Sequence, residues 1–150
     1  MSDDKYMIEA LTEAEKAKKR GEVPVGAIIV EDDKIIGRGH NLKETAKVVT
    51  KHAELIAIEE ASLSKQNWRL NECIMYVTEE PCPMCASAIK QSRIKRVIYK
   101  NDAQNENNKQ LVDKIWATID HNPVVECIKI TDKKIEKNSL QDFFVDKRKN

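Results

Sequence analysis

Two short stretches, KHAELIAIEE (residues 51–60) and EEPCPMCASA (residues 79–88), constrain this chain more than anything else in it. Each sets metal-ligating side chains at the start of an apolar, helix-like run. His52 is followed two residues later by Glu54, and Cys82 three residues later by Cys85, with Pro83 between the sulfurs. A catalytic zinc site needs three protein ligands and one open position for water. His52, Cys82 and Cys85 make up that number only in a fold that turns two helix starts toward each other. Spacing i, i+3 puts the two sulfurs on one side of a helix, and Pro83 suits the first turn, where its missing N–H costs nothing. The positive end of that helix favours thiolates. Two thiolates and one imidazole leave a zinc less electropositive than an all-histidine set, so the attacking water needs a base. Glu54 can reach the fourth position without being a ligand. Taken singly the pieces are ambiguous: a lone C-x-x-C also suits a redox pair, and an acid in a helix's first turn is favourable anywhere.

The rest of the chain supplies the frame. Its 150 residues suit one domain, 1–150, large enough for a real core. Residues 3–20 place Tyr6, Met7, Ala10, Leu11, Ala14 and Ala17 on one helical face, ended by Gly21. VPVGAIIV (23–30) and KIIGRG (34–39) flank EDD as a hairpin. Helices are predicted over 52–64, 83–92, 109–118 and 139–147, and strands over 73–78, 96–100 and 124–130. The polar run 101–110 reads as a loop entering a helix. Strands alternating with helices predict an α/β sandwich whose later strands are parallel, because helical crossovers join them.

Composition excludes some classes. No stretch of eighteen apolar residues is present to span a membrane, and the charged N-terminus lacks the apolar centre of a signal peptide, so a cytoplasmic protein is expected. In a reducing compartment the four cysteines form no disulfide framework. A formal net charge of +1 does not announce a nucleic-acid binder. Basic residues nevertheless cluster at 16–20, 90–96 and 147–149, which also suits solvated helix faces.

The combined H-x-E…P-C-x-x-C pattern resembles that of zinc-dependent nucleobase deaminases. Beyond it, EVPVGAIIV (22–30), GRGHN (37–41), HAELIAI (52–58), QNWRL (66–70), YVTEEPCPMCASAI (76–89), SRIKRVIY (92–99) and DFF (142–144) resemble the bacterial tRNA-specific adenosine deaminases. That resemblance implies a three-layer α/β/α sandwich around a five-stranded mixed sheet of the cytidine-deaminase type. It implies one Zn²⁺ per subunit on His52, Cys82 and Cys85, with Glu54 as proton shuttle. It also implies a homodimer that converts the wobble adenosine of a tRNA anticodon loop to inosine. Val25, Asn41, the Ala53 backbone N–H and Asp102 would meet the substrate, although Val25 could equally be a strand core residue and Asn41 a turn residue. Guanine deaminase relatives, which share HAE and PCPMC, are the alternative among free-base and nucleoside deaminases. The chain departs from the tRNA enzymes at Glu79, where they usually carry Leu, and in its glycine-free 101–110 loop.

Arg69, Arg93, Lys147 and Arg148 are candidates for phosphate contacts near the pocket. Cys73 and Cys127 read as inert strand thiols, His40 as structural or solvent-facing, and His121 as exposed. Trp68 and Trp116 read as packing anchors.

Overall fold

A computed structural model describes residues 3–131. The predicted helix at 139–147, the DFF segment, Lys147 and Arg148 lie outside the described residues. Helix α1 (Asp3–Lys19) carries Asp3 and Asp4 in its first turn and Lys16, Lys18 and Lys19 in its last, each sign matched to the helix dipole. Gly21 stops it at φ 77°, with Glu22 N–H donating to Ala17 O and Gly21 N–H to Lys18 O, both at 3.0 Å, a Schellman ending.

Strands β1 (Gly26–Glu31) and β2 (Lys34–His40) form the hairpin. Its turn is Asp32–Asp33 alone, both residues at positive φ as a type I′ turn requires, while Glu31 pairs with Lys34 inside the ladder. The strand begins at Gly26 rather than Val23, because Pro24 has no N–H for a ladder and Val25 N–H turns back onto Val23 O at 2.9 Å. A four-residue helix, α2 (Lys43–Ala46), follows; it is too short and polar to show periodicity. Then come α3 (Ala53–Lys65), β3 (Ile74–Glu79), α4 (Pro83–Gln91), β4 (Arg96–Asn101), α5 (Glu106–Ala117) and β5 (Glu126–Lys129). Helix α5 starts three residues before the predicted point, since the Asn105 side chain caps it by accepting from Asn107 N and Asn108 N.

The sheet order is β2-β1-β3-β4-β5. β1 is antiparallel to both neighbours, whereas β3–β4 and β4–β5 are parallel, as the crossovers α4 and α5 demand. Helix α1 covers one face, burying Tyr6, Met7 and Ala10 against Ile28, Tyr76 and Ile98. Helices α3, α4 and α5 cover the other, with Ala57, Ala61, Ile89 and Trp116 against Ile29, Met75, Val77 and Val97. This is the three-layer α/β/α sandwich. Among the described residues no helix is long and apolar enough to cross a membrane.

Helix α3 lies unusually close to β2. A Cβ built on Gly39 would stand 2.3 Å from the Ala53 carbonyl oxygen, so only glycine admits this approach. The contact pins the start of α3 against the end of β2, beside Asn41.

Candidate metal centre and active site

His52 and Cys82 are the N-cap residues of α3 and α4, both in extended backbone, and Pro83 occupies the first turn after Cys82. The two helices therefore present their positive ends to one another. The ligand atoms of His52, Cys82 and Cys85 all lie within 4.8 Å of one another. Cys85 Sγ is 3.5 Å and Cys82 Sγ 3.7 Å from His52 Nδ1. A tetrahedral zinc with Zn–S near 2.3 Å and Zn–N near 2.0 Å sets its sulfur and nitrogen ligands about 3.5 Å apart. The sulfur–nitrogen separations match that spacing.

The electrostatics suit a metal as well. The Cys85 S–H donated to Cys82, with the His52 imidazole beside it, holds the Cys82 thiol down at about 4 against the cost of burial. The same shared proton, together with burial, pushes Cys85 upward. Binding a divalent cation then releases one proton from the pair. His52 is held above its ordinary value by its bond to Cys82, which outweighs its burial.

Glu54 sits in the first turn of α3, only 4% exposed. Burial pushes its carboxyl up to about 7, and the Cys82 charge adds to this. A buried carboxyl beside the ligand set is placed to take up and release a proton.

Val25, Asn41 and Ala53 form one hydrogen-bonded chain next to His52. Asn41 N–H donates to Val25 O at 3.2 Å, and the Ala53 N–H donates to Asn41 Oδ1 at 2.9 Å. The Ala53 N–H, assigned to the base from sequence, is thus taken by Asn41, leaving the Asn41 Nδ2 group as the donor for a ligand. Asp102 already has partners of its own: Lys129 Nζ holds its Oδ2 at 2.8 Å, Tyr99 OH reaches its Oδ1 at 3.4 Å, and Lys129 keeps it below its ordinary value.

Among the buried carboxylates that escaped the sequence reading are Glu22 and Glu79. Glu22, 2% exposed, accepts from Glu44 N at 3.1 Å and from Thr45 N and Oγ1 at 2.6 Å each. It anchors the 42–51 segment that joins Asn41 to His52; burial would raise its pKa, but these bonds hold it down. Glu79, noted from sequence only as a departure, ends β3 on the face of Met75 and Val77 and accepts from Asn101 Nδ2 at 2.9 Å. Burial pushes it up to about 8, with the Glu54 charge adding to the effect. Extending the strand's alternation by one residue would have placed Glu79 on that buried face. Glu22 left no periodic signal, because it follows the end of a helix.

The other sequence expectations divide. Trp116 is buried as a packing anchor, but Trp68 is 51% exposed beneath two arginines and anchors no core. Cys73 is fully buried and Cys127 half-buried, both pushed up to about 12 by burial. His40 is structural, its Nδ1 3.0 Å from Glu13 Oε1, and His121 is exposed.

Comparison with known proteins places this geometry in context. The family model for the cytidine and deoxycytidylate deaminase zinc-binding region matches residues 1–101. A tRNA-specific adenosine deaminase of Bacillus subtilis is 48% identical over 97 residues, covering 65% of this chain and 60% of that protein. The chloroplastic tRNA(adenine(34)) deaminase of Arabidopsis thaliana is 52% identical over 97 residues, 65% of this chain but 7% of that one. The chain thus spans about 60% of the length of the bacterial relative. A solved structure from a study of tRNA:A34 deaminases superposes with a TM-score of 0.74 at 31% identity, covering 85% of this chain and 98% of that chain. A guanine deaminase structure from Bacillus subtilis gives 0.68 at 28% identity, covering 99% and 95%.

Proposed function

The chain belongs to the zinc-dependent cytidine and deoxycytidylate deaminase family, and from that premise we propose that it hydrolytically deaminates the wobble adenosine of a tRNA to inosine. The observation that carries the deaminase reading is the convergence of His52, Cys82 and Cys85 beside a buried Glu54. Near-50% identity to tRNA adenosine deaminases favours adenosine in tRNA over guanine, the alternative supported by a solved structure at 28% identity.

In this reading His52 Nδ1 and the sulfurs of Cys82 and Cys85 hold one zinc per subunit. Zinc bound there supplies Lewis-acid activation of water at neutral pH. Glu54 takes a proton from the attacking water and passes it to the ring nitrogen N1 as the hydroxyl adds at C6; it then takes the proton of that C6 hydroxyl and gives it to the amine, so that the C6–N bond breaks, ammonia leaves and inosine remains. Asn41 Nδ2 donates to the base edge, and the half-buried Val25 packs on the ring. The Ala53 N–H acts through Asn41, holding its amide in place. Asp102 is assigned to the RNA outside the ring, since Lys129 and Tyr99 already engage its carboxylate.

The reading extends to a cytoplasmic homodimer that binds the anticodon loop. Four cysteines, all free, suit a reducing compartment. The test is incubation with a transcript carrying adenosine at the wobble position, where inosine reads as G on sequencing, alongside guanine and cytidine with ammonia detection. Conversion of guanine alone overturns the assignment.

A further inference from the structure

The ends of α3 and α4 remote from the metal site carry a second arrangement with a ligand-binding character. The Gln66 C-cap of α3 turns the chain at φ 54°, and Arg93 leaves α4 at φ 66°. Leu70 N–H donates to Ser92 O at 2.8 Å, stitching the two turns together. This brings the Arg69 guanidinium to 4.4 Å and that of Arg93 to 5.6 Å from the centre of the Trp68 ring. The indole is 51% exposed.

Several of the described cations are paired with carboxylates, and these two arginines are not. Arg38, Lys65, Lys95, Arg96, Lys109 and Lys129 are each held by a carboxylate. Among the described residues Arg69 and Arg93 form no ion pair, and the buried Nε of Arg93 has no hydrogen-bond partner. The terminal Nη groups of a guanidinium match phosphate oxygens bidentately. The indole steadies both forks through cation–π contact without neutralising them.

From this geometry we infer that Trp68, Arg69 and Arg93 form a phosphate-binding patch for the RNA backbone, separate from the pocket that holds the reacting base. The 13 residues of α3 lie between the patch and His52, which at ~1.5 Å per residue is about 20 Å. The phosphates bound there therefore belong to nucleotides other than the edited one. This rests on the proposed tRNA substrate and sets part of its affinity rather than its chemistry.

The experiment compares the zinc-loaded protein with Arg69→Gln, Arg93→Gln and the double variant. Each is measured for the dissociation constant of a full-length tRNA transcript against salt, for kcat and KM of inosine formation, and for sedimentation. The double variant is expected to bind at least about tenfold more weakly, to lower the salt slope by about one to two, and to raise KM more than it lowers kcat. An unchanged dissociation constant and slope overturns the patch, as does a change in oligomeric state, which would mark it as a protein–protein interface. Inosine formation by the unaltered protein keeps the deaminase reading whatever the variants do. If that protein neither binds nor deaminates tRNA, both inferences fall.

Discussion

Asn41 and Ala53 are joined by a 2.9 Å hydrogen bond from the Ala53 backbone N–H to the Asn41 side-chain carbonyl. The bond ties the residue after β2 to the first residue of α3, one position from His52. It also orients the amide, because a carbonyl turned toward a backbone donor points the Nδ2 donor the other way.

Replacing Asn41 separates these two duties. Asn41→Asp keeps an acceptor for Ala53 but removes the Nδ2 donor, so the melting temperature should hold while kcat/KM on the wobble-adenosine substrate drops at least about tenfold. Asn41→Ala strips the partner from a buried N–H and should also destabilise the fold by about 1–2 kcal/mol. Equal activity of Asn41→Asp and the unaltered protein would exclude a base contact by Nδ2.

Glu54→Gln removes the exchangeable proton but leaves the ligand set intact. Zinc should remain near one per chain by elemental analysis, and turnover should fall by a factor of about 10²–10⁴. Residual activity above a tenth would show that some other group moves the proton.

Cysteine reactivity reads the site without any turnover assay. In chelator-treated protein near pH 7, Cys82, held down at about 4, should be alkylated well before Cys73 and Cys127, which burial pushes up to about 12. Zinc should protect Cys82. Peptide mass spectrometry after brief iodoacetamide treatment gives the order, and equal labelling of Cys73 and Cys82 would contradict it.

Glu79 makes stability depend on pH. Its folded pKa of about 8 lies above the ordinary 4.5, so the folded chain keeps a proton that the unfolded chain has lost. Its contribution to stability therefore falls as pH rises from 4.5 to 8 and stays low above that. Glu79→Leu should be about as stable as the unaltered protein at pH 4.5 and more stable at pH 9, by up to about 5 kcal/mol, read as a higher melting temperature. A difference in melting temperature that does not grow with pH would refute the burial argument.

Gly39→Ala probes the approach of α3 to β2. The new Cβ would meet the Ala53 carbonyl oxygen at 2.3 Å, so the helix start must move. A loss of about 2–3 kcal/mol is expected from overpacking, with weaker zinc retention because His52 moves with α3. Thermal melts and metal content check both outcomes.

Where local pattern decides structure, the sequence was legible. The 3.6 period of Tyr6, Met7, Ala10, Ala14 and Ala17 predicted α1, and the apolar run before Pro81 predicted β3. Alternation with helices implied the parallel pairings of β3, β4 and β5. The three ligand candidates were readable because their residue types and spacing carry metal chemistry wherever they sit. Single turns and caps were less legible: α2, the Asp32–Asp33 turn and the Asn105 cap each depend on a few backbone angles that no period reports.

By itself the amino-acid order determined which segments become helices and strands and which side chains can bind a metal, since both follow from a few neighbouring residues. Only the tertiary structure decided that His52 meets two cysteines thirty residues on, that Glu22, Glu54 and Glu79 are buried while Trp68 is not, and that Asn41 spends its carbonyl on Ala53. Burial and partnership depend on what distant segments lay over a residue, and no local pattern carries that information.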